Sequence, residues 1–301
     1  MKKTVISIIV VFFIVVLFFR SNVENKPKYY EQTYKIKGVY IPENIDFAGE
    51  KIPIENFDIY ESLEREILII TYYHSQTIQT LKRTRRYFPL IENILKQYNI
   101  PDDFKFLCIA ESNLTQTISP KQAVGFWQLL ESTAKEYGLE INDKIDERYN
   151  IKKSTEAACK YILDSYKKYG SWTLAAASFN FGRTAIDNQI KIQKTTNYYD
   201  MYLNEETARY VYRAVAYKII YNNPQQYGFY ISEEDYYPPL PTKEIYVDTT
   251  ISSLSNFAYQ TGTNYKLLRM LNLWIRDTFL LNEKRKPYYI EILKVENRKI
   301  K

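Results

Sequence analysis

Histidine is nearly absent: His74 is the only one in 301 residues, and cysteine occurs twice, at Cys108 and Cys159. A Ser-His-Asp or Cys-His nucleophile system would have to be built on His74. Zinc hydrolases need several His or Cys ligands at one centre, so no metal site is expected. Glycine (8 residues) and proline (11 residues) are scarce too, which excludes collagen-like and low-complexity disordered chains. The net charge is +6, but basic residues are mixed with acids along the chain. The one dense basic cluster is Lys82, Arg83, Arg85 and Arg86, which reads as a solvated helix face rather than a polyanion site. No nucleic-acid-binding module is recognisable, and no nucleic-acid partner is expected. What the chain has in quantity is carboxylates (35) and tyrosines (30), the groups that sugar chemistry uses. Most of the tyrosines fit a general bias of this sequence toward Tyr, Lys, Ile and Asn. Hydrophobic residues make up 46%, enough for one sizeable packed domain and a smaller one.

Met1-Lys2-Lys3 precedes an apolar run from Thr4 to Phe19 that Arg20 closes. A positive start followed by a hydrophobic stretch is an export signal. As a helix the run would span about 24 Å, slightly short of a bilayer core of about 30 Å. Neither a small-x-small cleavage site nor a lipobox cysteine follows it. The expectation is an uncleaved anchor in the inner membrane formed by residues 4–19, with the body of the protein in the periplasm; cleavage near Ser21 is the alternative. Export permits a disulfide. Cys108 and Cys159 both lie in helical patterns among apolar neighbours, so two buried thiols and a bridge both remain open.

Residues 1–20 thus read as signal or anchor. Residues 21–58 are polar, with Pro27, Pro42 and Pro53 and little periodicity, and read as a tether. From Ile59 the pattern is helical, and helices dominate to about Asn222, with breaks at Pro101, Gly125, Gly138, Gly170 and Gly182. Asn204 suits an N-cap, with Glu205 and Glu206 at the positive end of the helix dipole. Residues 59–230 form the expected helical domain. Residues 231–243 contain Tyr236-Tyr237-Pro238-Pro239-Leu240-Pro241 and read as a stiff linker. Residues 244–301 form a small αβ domain: Ile245 to Leu254 opens as a strand followed by a helix cap, and Tyr288 to Leu293 closes as a strand.

The most informative segment runs from Ile100 to Ser112. Pro101 suits a first helical turn, and Asp102 and Asp103 suit its dipole. Phe104, Leu107, Cys108 and Glu111 follow the i, i+3, i+4, i+7 spacing and share one helix face. That face is otherwise directed to the core, so Glu111 points where a carboxylate loses solvation. Burial raises a carboxyl's pKa, and a carboxyl protonated near neutrality can donate to a glycosidic oxygen. The competing reading of this segment alone is an ordinary glutamate at a helix end, turned to solvent.

Three further stretches follow in order: Gly125-Phe126-Trp127-Gln128, Ser178-Phe179-Asn180-Phe181-Gly182, and Glu206-Thr207-Ala208-Arg209-Tyr210-Val211. With Glu111-Ser112 they resemble the soluble-lytic-transglycosylase superfamily, which shares the goose-type lysozyme fold, over roughly residues 85–222. Asp146-Glu147-Arg148, Ser154 to Ala158 and Tyr169-Gly170-Ser171-Trp172 belong to the same resemblance. It implies a mainly α, lysozyme-like catalytic domain acting on peptidoglycan glycan strands without a cofactor. Glu111 would be the only catalytic carboxylate, acid first and then base, and the muramoyl 6-hydroxyl would close on C1 to give a 1,6-anhydro sugar. Ser112 completes the motif in a structural role. Ser119 matches a serine near the sugar ring. Gly125 permits a tight backbone beside Trp127, and Gln128 is a polar group near the carboxyl. Asn180, with Phe179 and Gly182 around it, lines the groove, and the Tyr210 hydroxyl lies near the catalytic glutamate.

Two positions depart from the family's pattern. Phe179 replaces a tyrosine and Phe181 a small alanine, which implies an altered rate or sugar preference. The C-terminal segment resembles a degenerate LysM module, a βααβ fold that binds N-acetylglucosamine chains, without the usual Gly-Asp before the first helix. A hydrolytic muramidase on the same fold and a non-catalytic peptidoglycan-binding protein are the alternative functions.

Overall fold

The computed structural model of the protein describes residues 36–294. The expected anchor at residues 4–19 lies outside the described residues, as does the first part of the expected tether. No helix among the described residues is long and apolar enough to cross a membrane.

The described residues form ten α-helices and two small antiparallel sheets, a mainly α chain with a small αβ end. A hairpin of β1 (Asp46–Phe47) and β2 (Glu50–Lys51) comes first. The helices α1 (Phe57–Tyr72), α2 (His74–Gln97), α3 (Lys105–Ser112), α4 (Glu131–Glu136), α5 (Ile151–Tyr169), α6 (Trp172–Phe181), α7 (Arg183–Gln193) and α8 (Glu205–Asn222) follow. The C-terminal part is β3 (Thr242–Val247), α9 (Leu254–Gln260), α10 (Tyr265–Leu271) and β4 (Tyr288–Leu293).

The helix α8 is the spine of the helical part and packs on α1, α3 and α6. Val211, Ala214, Val215 and Ala216 are all fully buried, and the two alanines let neighbouring helices approach closely. The Asn204 side chain caps this helix by accepting from Thr207 N at 3.1 Å. The short helix α3 is buried on nearly every side. Phe104, Leu107 and Cys108 form the apolar face read from the sequence, and Phe106 and Ile109 are buried opposite it. Even Lys105 is buried, its charge met by Glu92 at 2.7 Å.

Two features differ from the sequence reading, and a third settles a choice it left open. The expected tether at 21–58 is no tether from residue 39 onward: Ile45, Phe47 and Ile52 enter the main core. There Glu50 accepts hydrogen bonds from Ser171 Oγ and Thr173 N at the start of α6. The basic cluster is not a freely solvated face. Lys82 and Arg86 lie over the Tyr237 ring, Arg86 Nε donates to Pro238 O at 3.0 Å, and Arg85 pairs with Glu233. Long cationic side chains bury their stems on an aromatic ring, and here they fix the proline-rich segment to α2. The two cysteines are both buried free thiols.

In the C-terminal part, β3 and β4 pair from Thr242↔Leu293 to Val247↔Tyr288, with α9 and α10 between them in sequence. Ser253 caps α9 through Asn256 N at 3.2 Å. This small core is shared with the helical part: Val124, Ile145 and Tyr149 pack among Leu254, Leu268, Trp274 and Ile290. Asp146 N donates to Trp274 O at 2.8 Å, and Tyr288 OH to Glu140 at 3.0 Å. Residues 39–294 therefore form one compact unit.

Candidate active site

Glu111 lies in the last turn of α3, and the helix ends one residue later, at Ser112, because Asn113 adopts a left-handed conformation with φ 52°. Two phenols from α8 hold this end. Tyr210 OH donates to Glu111 Oε1 at 2.7 Å, and Tyr217 OH donates to Asn113 Oδ1 at 2.9 Å. The two tyrosines are seven residues apart, two helical turns, so one face of α8 grips both sides of the α3 terminus. Arg83 adds a bond to Asn113 O at 3.3 Å.

Part of Glu111 remains accessible, but protein atoms surround its carboxyl, and this loss of solvation raises its pKa from the ordinary value to about 7. The Tyr210 hydrogen bond and the charge of Arg213 oppose the shift, while the carboxylate of Glu206 adds to it. Among the described residues, Tyr210 is the one side chain hydrogen-bonded to Glu111. Tyr210 is itself buried, and burial followed by the neighbouring Glu111 pushes its own pKa well up, so it remains a donor. A carboxyl of this kind is divided between its acid and base forms near neutrality, which suits it to give and then recover a proton.

Ser112 joins α3 to the turn of residues 125–128: its hydroxyl bonds Phe126 O at 2.9 Å and Cys108 O at 3.1 Å. Gly125 is required in that turn on two grounds. Its φ is +83°, and a Cβ there would lie 2.3 Å from the backbone oxygen of Arg148. Arg148 in turn braces the surrounding loop, donating to Gln122 O and Leu129 O while paired with Asp146 at 2.8 Å. Trp127 is fully buried and donates its indole N–H to Thr155 at 2.9 Å. Gln128 spends no donor on Glu111: its amide nitrogen donates to Thr117 O at 3.0 Å and Gly125 O at 2.8 Å. It is held with φ 47°, and these two bonds stabilise that backbone.

The remaining candidates line up along the α6 side. The Phe179 ring packs edge-on against Trp127 at 5.9 Å and Tyr161 at 5.5 Å. Asn180 reaches the start of α8, donating to Glu206 at 3.3 Å and accepting from Thr207 Oγ1 at 2.8 Å. Gly182 ends α6 with φ +86°, and Phe181 packs on the main core. Ser119 is the outlier among the candidates. Its hydroxyl accepts from Ala123 N at 3.0 Å and organises its own loop.

The structure adds residues that the sequence pattern did not single out: Asn113, Thr207, Tyr217 and Arg213. Tyr217 had a readable signal, the seven-residue spacing from Tyr210. Asn113 had none, because a left-handed asparagine at a helix end looks like any other polar residue.

Residues 89–202 match the family described as the transglycosylase SLT domain, and residues 243–295 match the soluble lytic transglycosylase C-terminal LysM-like domain. Among curated proteins, the chain is similar to membrane-bound lytic murein transglycosylase D of Escherichia coli K12, at 26% identity over 243 residues. The protein of that name from an O6:H1 strain aligns with the same identity and length. In each case the alignment covers 78% of this chain and 52% of the relative, so the chain spans about half the length of the curated relatives it matches.

Proposed function

From a chain that carries a transglycosylase SLT domain followed by a LysM-like domain, we propose a peptidoglycan lytic transglycosylase that uses Glu111 as its single acid and base. The observation that carries this reading is the Glu111–Tyr210 pair: a desolvated carboxyl, shifted to about 7, with a fixed phenol 2.7 Å away. Glu111 in its protonated form gives its proton to the β-1,4 oxygen between N-acetylmuramic acid and N-acetylglucosamine. The C1–O bond breaks, and the N-acetylglucosamine side leaves with a free 4-hydroxyl. The Glu111 carboxylate then takes the proton of the muramoyl 6-hydroxyl as that oxygen bonds C1. The product is a 1,6-anhydro end, no water is consumed, and the enzyme recovers its starting protonation. The substrate supplies the nucleophile, so the second carboxylate of an ordinary glycosidase pair is unnecessary.

In this reading Ser119, Gly125, Gln128, Phe179, Asn180 and Tyr210 shape the sugar groove, while Ser112, Trp127 and Gly182 hold its frame. The substrate places the protein in the periplasm, attached to the inner membrane through residues 4–19.

Sacculi digested with the purified protein and analysed by mass spectrometry should yield 1,6-anhydro ends, and Glu111→Gln should reduce them by about a thousandfold. Reducing ends would instead assign a muramidase. Glu206, whose charge is felt at Glu111, would then be the first carboxylate to test for activating water. A folded wild-type protein that binds sacculi and releases nothing would leave only a binding function.

A further inference from the structure

Glu66 is a buried carboxylate that the proposed reaction does not use. It lies on α1 with 1% of its surface exposed, in a stretch where Glu61, Glu64 and Arg65 also carry charge. Its two oxygens reach across to α8. Arg209 Nε donates to Oε1 at 2.6 Å, and Arg213 Nε donates to Oε2 at 3.4 Å. Arg65 Nε stands 3.6 Å from Oε1, and Arg209 also reaches Glu205 at 3.1 Å. A carboxylate so far from water is tolerated only when its charge is met, and here two guanidiniums of one helix meet it.

Those arginines belong to the α8 segment that serves Glu111. Tyr210 follows Arg209 directly, and Arg213 stands three residues further on, on the same side of the helix. Arg213 is close enough for its charge to act on Glu111. We infer that Glu66 is a positioning residue for the site: by engaging Arg213 and Arg209 it holds guanidinium charge back toward α1, leaving Tyr210 as the partner of Glu111. The inference rests on Glu111 being the acid and base of the reaction.

The other groups that face Glu111 do not duplicate this role. On α3 the neighbour is the buried thiol of Cys108. On α8, Glu206 is turned to Asn180 and to Lys121, which stands at 4.0 Å. From α2, Arg83 is committed to Asn113 O and Gln79, and α6 presents Asn180, which does not titrate. Arg213 is the cation of α8 whose effect on Glu111 depends on a second buried charge.

The test compares the whole 301-residue chain with its Glu66→Gln, Arg213→Gln and double variants. Two readouts are used: the pH profile of sacculus cleavage, and a carbon-detected NMR titration of the Glu111 carboxyl, which needs no turnover. In Glu66→Gln the Glu111 titration and the alkaline limb should move to lower pH by about half a unit to one unit, because the charge of Arg213 is no longer balanced. In Arg213→Gln both should move up, and the double variant should return close to wild type. If Glu66→Gln does not fold, the upward shift in Arg213→Gln carries the test. Unmoved titrations in the folded single variants would overturn the inference and leave Glu66 with a stabilising role only. A Glu111→Gln variant as active as wild type would overturn the proposed reaction instead, and the NMR titrations tell the two failures apart.

Discussion

Glu111 and Glu66 are both carboxylates drawn into the helical part of the molecule, and α8 supplies the partners of both. Glu111 receives one neutral donor, the phenol of Tyr210 at 2.7 Å, and its pKa rises to about 7. Glu66 receives guanidiniums, from Arg209 at 2.6 Å and Arg213 at 3.4 Å. The kind of partner, and not burial alone, separates a proton-transfer group from a structural ion pair. One helix delivers both kinds because residues 209, 210 and 213 fan around neighbouring positions of its surface, toward α1 on one side and α3 on the other.

The contrast breaks most visibly on removing the ion-pair carboxylate. Glu66→Ala leaves Arg209 and Arg213 facing a void at a site only 1% exposed. The stranded guanidiniums are themselves 21% and 30% exposed, and Arg209 keeps Glu205 at 3.1 Å, so the loss that denaturant unfolding should report is about 1–3 kcal/mol. A loss below about 1 kcal/mol would mean that the arginines re-pair elsewhere, and the comparison would fail on its structural side.

Glu111 should behave in the opposite sense. Its folded pKa, about 7, lies above the unfolded value near 4.5, so between those two values the native state holds the proton more tightly than the unfolded chain. Stability contributed by this group therefore falls as pH rises through that window and stays low above it. Glu111→Gln removes the penalty. The variant should melt a few degrees above wild type at about pH 8, and the gap should close toward about pH 4.5. An inactive variant whose stability gain grows from about pH 4.5 and levels off above about pH 7 would mark a site whose chemistry is held against the stability of the fold; equal melting at every pH would show that the carboxyl is solvated.

These contrasts also show how far the site could be read in the sequence. The i, i+3, i+4, i+7 pattern from Phe104 to Glu111 identified the odd carboxylate, because it depends only on local helical period, and the Asn204 cap and the strand from Tyr288 to Leu293 followed from local rules as well. Glu66 was not legible. It stands among charged neighbours on α1, and what makes it buried is Arg209, 143 residues away. Tyr217 and Asn113 meet across 104 residues. The hairpin at Asp46–Lys51 was hidden for another reason: strands of two residues are too short to show alternation, so Phe47 looked like part of a tether. The break at Tyr73, which divides the long helical stretch into α1 and α2, carries neither glycine nor proline and has no local signal.

Tyr210→Phe makes the smallest change and sharpens the comparison most. It removes one oxygen and one hydrogen bond and leaves the ring in its buried slot. The bond favours the ionised form of Glu111, so its loss should raise the carboxyl's pKa further and carry the alkaline limb of activity upward. A net hydrogen bond of this type is worth about 0.5–1.5 kcal/mol, so where Glu111 is protonated in both proteins, below about pH 6, the loss of positioning should slow cleavage by roughly 2- to 12-fold, and at neutral pH the added protonation should offset part of that loss. The proton is still present at the lower end of the profile, so a deficit that persists there measures misplacement of the carboxyl rather than its protonation. A limb that moves down instead would mean that Arg213 swings into the space the hydroxyl left, and that the phenol, as much as Glu66, keeps the guanidinium away.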